Sequence, residues 1–352
     1  MGNESMLGTR LGEQLKISEK YSQLRQHIQE YVSHANEFSL RTDVINTDET
    51  GFRISSKPNE GSSLTTSIIF TGGSVCFGWG ASSDEMTTPS VVARTLGVKV
   101  KNLGICAGNS TSEFIAAALL NDAYTHAVSI TGTNTLVNQY LNWDGNRQSF
   151  EPFMPFHQEY WRILRTRDLL MNRALIDANF HPFPYFKSTA QRRRFLKERL
   201  RFMKEKIVNL FTTKAIAYFE PTAANFKEIV SRAVSQQARS CNLLNQIFTN
   251  YTVIIQPFLL DGNRQPTDDE AQFVAYHRNR HRDGKLQKMF YEFMPSMYSR
   301  YSQELRDKLV QLGIRVMIYT PPNLEWSYSD LSHLNDFGYR DLANSIISFG
   351  ID

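Results

Sequence analysis

The chain has 352 residues, 41% of them hydrophobic and 21% charged, enough apolar material for a sizeable core and too little charge for global disorder. Its formal net charge of +4 is small for this length and falls short of the concentrated basic face that nucleic-acid binding needs, so no nucleic-acid partner is expected. Its cysteines, Cys76, Cys106 and Cys241, are widely spaced and form neither a disulfide framework nor a zinc-ligand pattern, so no metal is expected.

The N-terminal MGNESMLGTRLGEQLKISEK has no apolar segment behind a basic start, and apolar runs such as Phe114 to Leu120 are too short for a bilayer. The expectation is a soluble, cytoplasmic protein. Residues 8–37 carry apolar side chains at three- and four-residue spacing and are expected to be helical, followed by the turn-rich DETGFRISSKPNEGSS. Residues 1–60 therefore read as an N-terminal helix and lead-in loop. LTTSIIF (64–70) has the β-branched composition of a buried strand. Helical patterns over 88–97 and 112–123 then alternate with strands at 98–104 and 127–131, which predicts an α/β domain with a parallel sheet.

The pattern changes after Leu141. Residues 142–250 read as a mostly helical insertion, acting as a lid, specificity element or interface. Its first part is dense in aromatics and prolines. A basic helix follows, with Leu196, Leu200, Met203, Ile207 and Leu210 on one stripe, and a second helix is expected over 222–248. Strands return at 251–260 and 314–320, so the core comprises 61–141 and 251–352.

Four segments carry chemistry. In TGGSVCFGWGASSDE, Ser74 directly follows a buried strand, so its hydroxyl lies at the C-terminal edge of the sheet, where open α/β sheets bind ligands. In DLSHLNDFGY, Asp330 and His333 are three apart, a spacing that lets one turn present both side chains and lets the carboxylate orient the imidazole as a base. The same Asp330 also suits a helix cap. In ITGTNTL, Asn134 places an amide at a strand end, where it suits either an oxyanion donor or a turn. In KNLGICAGNSTSE, Gly104 or Gly108 supplies either a backbone N–H to the same edge or a turn.

Taken in order, these segments resemble the four motifs of the SGNH (GDSL-like) serine hydrolases, with GFR (51–53) and QPFLL (256–260) similar to bacterial members. The resemblance spans 64–141 and 251–349 and leaves the insertion unexplained. It implies a flavodoxin-like three-layer α/β/α fold with no cofactor. It also implies Ser74 as nucleophile, His333 as base and Asp330 as its orienting partner. The oxyanion hole would be formed by the N–H of Ser74, the N–H of Gly108 and the side chain of Asn134, with Gly104 as the alternative to Gly108. Two departures are Gly73, where the GDSL pattern has Asp, and Thr135 in place of the Asp that commonly follows the third-motif Asn; both are expected to loosen local hydrogen bonding.

The implied activity is a serine esterase cleaving an O-acyl ester, with O-acetyl groups on carbohydrate as the analogy's substrate, or an acyltransferase using the same residues. A non-catalytic binding or scaffold module with a basic contact surface is the rival. Phe153, Phe156, Tyr160, Trp161, Phe183 and Tyr185 form either a sugar- or acyl-binding wall or packing for the insertion. The basic run from Arg192 to Arg201 either attracts an anionic ligand or is a solvated helix face. His277 and His281 have the i, i+4 spacing of a ligand pair but no nearby third ligand.

Overall fold

The computed structural model describes residues 12–17, 19–21, 26–27, 35–57, 66–118, 124–141, 143, 221–280, 287–322 and 325–351. Two short strands, β1 (Gln26–His27) and β2 (Ala35–Asn36), pair antiparallel. The central sheet is built from β3 (Ser67–Gly72), β4 (Lys99–Gly104), β5 (His126–Thr131), β6 (Asn250–Ile255) and β7 (Arg315–Ile318). Its order is β4-β3-β5-β6-β7 and every neighbouring pair is parallel. Counted along the sheet strands alone, this is the 2-1-3-4-5 order of flavodoxin-like folds, with its switch point between β3 and β5.

From Ser74 onward the helices, in chain order, are α1 (Ser74–Phe77), α2 (Thr88–Leu96), α3 (Ser110–Ala118), α4 (Thr133–Leu141), α5 (Ala223–Ile247), α6 (Asp268–Arg280), α7 (Met294–Gln311) and α8 (Asp336–Ser348). Alternation along the strands sorts the core into two layers, because successive side chains point to opposite faces. Ile69, Ala127, Val253 and Ile255 join residues of α3, α4, α5 and α7 in one apolar cluster. Ile68, Phe70, Val128, Ile130 and Ile254 join residues of α1, α2 and α8 in the other. The three-layer α/β/α architecture expected from the sequence is therefore present.

Two expectations are corrected. The helix read over 8–37 is helical at 12–17 and 19–21, and further along Gln26–His27 forms strand instead, because backbone pairing with Ala35–Asn36 competes with helix propensity. The boundary of the insertion also moves. The chain divides into one compact unit of Met1–Trp143, Phe150–Pro155 and Pro221–Asp352, and a second of Asp144–Ser149 and Phe156–Glu220. The expected helix at 222–248 is present as α5, but it buries Ile229, Val230, Ala233, Ala238 and Leu244 in the core cluster. It is a core helix and not part of an insertion ending at 250. The aromatic wall, the basic helix and His281 lie outside the described residues.

Candidate active site

The turn that carries Ser74 is fixed by close packing at the end of β3. Gly72 takes φ 153°, and a Cβ there would stand 2.1 Å from Ile130 O on β5, so only glycine allows the two strands this approach. Gly73 follows as the N-cap of α1, and Ser74 is that helix's first residue. Asn134 occupies the matching place after β5, in the first turn of α4. Ser74 and Asn134 thus flank the switch point, the crevice where open α/β sheets bind ligands.

The C-terminal segment brings its two residues to the same place. Ser74 Oγ lies 2.7 Å from His333 Nε2, and His333 Nδ1 lies 2.6 Å from Asp330 Oδ2. The other carboxylate oxygen, Asp330 Oδ1, accepts from the backbone N–H groups of Ser332 (2.8 Å) and His333 (2.9 Å). Asp330 therefore folds the turn with one oxygen and meets the imidazole with the other. It does not cap α8; that part is taken by Asn335, whose side chain accepts from Gly338 N. An ionised carboxylate only accepts, so Nδ1 carries the imidazole proton and Nε2 is left to accept from Ser74. All three side chains are partly exposed, as a site that receives a substrate requires.

Asn134 Nδ2 donates to Gly108 O at 2.8 Å, which holds the amide beside the Ser74 turn. A Cβ at residue 73 would lie 2.4 Å from that nitrogen. Glycine at 73 therefore makes room for the Asn134 amide, a use not legible in the sequence. Thr135 is likewise firmly held: it donates to Gln237 Oε1 (2.6 Å) and accepts from Ser110 N (3.3 Å). At Gly73, by contrast, the start of α1 has no side-chain cap, which is the hydrogen bond that the motif's Asp could have supplied.

The two glycines considered for the oxyanion hole are placed differently from expectation. Gly108 N–H donates to Ile105 O (2.8 Å) in a turn whose Ala107 has φ 58°, so Gly108 enters the site through its carbonyl and not its N–H. Gly104 N–H donates to Asn102 Oδ1 (2.9 Å), and a Cβ there would meet Phe77 N at 2.2 Å, so Gly104 is a packing position beneath α1. Of the expected donors, the Ser74 N–H at the start of α1 and the second N–H of the Asn134 amide remain.

Several supporting residues were missed in the sequence. The Trp79 ring lies 5.6 Å from the His333 ring and forms a wall beside the imidazole. Ser82 donates to Asp336 through its backbone (2.7 Å) and hydroxyl (2.5 Å), joining the segment after Ser74 to the start of α8. Buried Arg264 pairs with buried Glu270 at 2.5 Å, and the same Glu270 oxygen accepts from Ser327 N, three residues before Asp330. Glu270 also accepts from Thr267 N, and its own N–H meets Thr267 Oγ1, a capping box at the start of α6. The TDDE pattern at 267–270 is the signal that announces it.

Cys76, two residues beyond Ser74, is fully buried; burial first, and then the charge of Glu113, push its thiol well above the usual range. It stays a thiol and is inert as a nucleophile. Tyr291, on the π-helical turn Met289–Phe293, is pushed up to about 12 by burial, against the pull of Arg278 and with a further rise from the charge of Asp330. Among the described residues no group of His, Cys, Asp and Glu could hold a metal ion, and no helix is long and apolar enough to cross a membrane.

Fold and site together define an α/β protein with a serine, histidine and aspartate in hydrogen-bonded series at the switch point of its sheet. The chain matches no protein-family model and no curated protein. Among solved structures it is similar to a candidate lipolytic protein of the G-D-S-L family from Desulfitobacterium hafniense DCB-2, at 9% identity and TM-score 0.37 over 81% of this chain and 99% of that one. It is similar also to a catalytic mutant of an acetylxylan esterase from Geobacillus stearothermophilus, at 11% identity and TM-score 0.38 over 85% and 97%. A further acetyl xylan esterase aligns at 9% identity and TM-score 0.36 over 81% and 100%. These likenesses are loose.

Proposed function

We propose that the chain is a serine ester hydrolase of the SGNH (GDSL-like) kind, acting on an O-acyl ester; an O-acetylated carbohydrate is the substrate class suggested by the motif resemblance. The observation that carries this reading is the unbroken series Ser74 Oγ, His333 Nε2, His333 Nδ1, Asp330 Oδ2, with contacts of 2.7 and 2.6 Å. A hydroxyl facing an unprotonated imidazole nitrogen is an activated nucleophile, and a carboxylate on the far nitrogen holds the tautomer and stabilises the imidazolium that forms.

In acylation, Ser74 Oγ attacks the ester carbonyl while His333 Nε2 takes the hydroxyl proton. The carbonyl oxygen becomes an oxyanion that accepts from Ser74 N–H and from the free N–H of Asn134. Collapse expels the alcohol, which leaves with the proton from His333. In deacylation a water gives its proton to the same nitrogen and attacks the acyl-serine. The carboxylic acid departs and Ser74 recovers its proton.

The test is hydrolysis of p-nitrophenyl acetate and butyrate by the natural protein and by Ser74→Ala, with circular dichroism to check the fold. Turnover lost in a folded Ser74→Ala protein supports the reading. Equal turnover by both proteins defeats it.

A further inference from the structure

Arg53 touches none of the reacting atoms, yet it is only 1% exposed and every arm of its guanidinium is engaged. Nε donates to Asp84 Oδ1 at 2.7 Å and one terminal nitrogen donates to Val44 O at 2.7 Å. The other terminal nitrogen faces Gly78 O (2.8 Å), Tyr21 Oη (2.8 Å) and Phe77 O (3.3 Å). The rings of Phe77 and Tyr21 cover the guanidinium at 5.2 and 5.6 Å. Tyr21 Oη in turn lies 2.8 Å from Gly78 O and 2.7 Å from Ala81 O. Asp84 is held from its other side by Asn46, through the backbone N–H (3.1 Å) and the side-chain amide (2.6 Å).

Phe77 and Gly78 are the far end of α1, the four-residue helix that begins at Ser74. A single turn does not hold itself together, because helix nucleation costs more than one turn recovers. Its last carbonyls have no intrahelical partner. Arg53 and Tyr21 satisfy them with donors anchored in the lead-in segment. Burying a guanidinium is costly unless it is paired, and an apolar side chain would fill the same space at least as stably. A cation here is explained by what it grips.

We propose that Arg53 is a positioning residue for the nucleophile: by clamping the far end of the Ser74 turn through Phe77 O and Gly78 O, it holds Ser74 Oγ on His333 Nε2. This rests on Ser74 being the nucleophile, as set out above. Arg53→Lys keeps the charge and loses the planar fork, so the pair with Asp84 or the grip on the carbonyls is lost, but not the buried cation. Tyr21→Phe is the milder companion, removing one hydroxyl from Gly78 O and its neighbour Ala81 O.

The experiment compares the natural protein, Arg53→Lys, Tyr21→Phe and Ser74→Ala by thermal melting, by p-nitrophenyl acetate kinetics, and by the ¹⁵N signal of the His333 imidazole in the folded protein. A displacement of Oγ by about 1 Å is expected to lower kcat on the order of 10²-fold with little change in KM. The His333 Nε2 signal of Arg53→Lys should move toward that of Ser74→Ala, and Tyr21→Phe should lie between. Combined with His333→Ala, Arg53→Lys should cause no further loss, since the contact it aligns is gone. A folded Arg53→Lys protein with natural kcat and an unmoved His333 signal would overturn the proposal, as would an equal loss with and without His333. Full turnover in Ser74→Ala is a separate result that defeats the nucleophile assignment itself.

Discussion

The amide nitrogen of Asn134 occupies the space that a side chain on residue 73 would need: a Cβ on Gly73 would approach it to 2.4 Å. Gly73 has φ −81°, outside the left-handed region, so what alanine meets there is above all the collision. Gly73→Ala should fold normally and lose activity by displacing the Asn134 amide. Asn134→Ala should lower kcat about 10²–10³-fold, as removal of an oxyanion donor does, with little change in KM. Steady-state kinetics on both variants check this; an Asn134→Ala protein with natural kcat would remove the amide from the mechanism.

Asp330 separates two roles by oxygen. Asp330→Asn can keep the turn, because its Oδ1 still accepts from the N–H groups of Ser332 and His333. Its amide then donates toward Nδ1 and favours the wrong imidazole tautomer. The expectation is an unchanged melting temperature and a kcat lower by about 10⁴-fold. Asp330→Ala should lose both activity and stability.

The Arg264–Glu270 pair predicts an asymmetry in stability. Glu270→Ala leaves a guanidinium buried alone and frees Ser327 N, at a cost of about 3–5 kcal/mol. Replacing both residues together, Arg264→Met with Glu270→Leu, should recover most of that loss in urea unfolding. The double variant should remain less active than the natural protein, because the segment leading to Asp330 has still lost its anchor at Ser327.

A pH effect follows from Asp48, which binds Lys101 on β4. Burial raises this carboxyl, but hydrogen bonds from Lys101 and Thr50 outweigh it and hold the group below its ordinary value. A depressed carboxyl contributes stability above its unfolded pKa and loses it as pH falls through the folded one. The stability difference between the natural protein and Asp48→Asn should thus be largest near neutrality and shrink toward acid. Urea midpoints across that range measure it; a difference independent of pH would refute the assignment.

The sheet and the side chains that meet at its switch point were legible because each signal is local. Ser74 and Asn134 each follow a β-branched strand directly, and a DxxH turn needs only its own four residues. What was hidden depends on distant partners. Gly73 gains its meaning from Asn134, on another strand's end. Gly108 looks like a free donor until the left-handed Ala107 turns its N–H onto Ile105. The helix Ala223–Ile247 follows the insertion in sequence, and only its burial against α3, α4 and α7 shows that it belongs to the core. Gln26 and His27 fit a helical periodicity, and strand pairing with Ala35–Asn36 overrides it.

Ser74 and His333 are separated by 259 positions along the chain. Strand β7 and the loop after it must be in place before the imidazole can reach the hydroxyl, and contacts between such distant segments close slowly because loop entropy is lost first. During synthesis Ser74 emerges long before His333, so partly made chains hold the serine without its hydrogen-bond partner. Recovery of esterase turnover after dilution from denaturant would accordingly time the docking of the C-terminal strand, and should lag behind the return of helical signal.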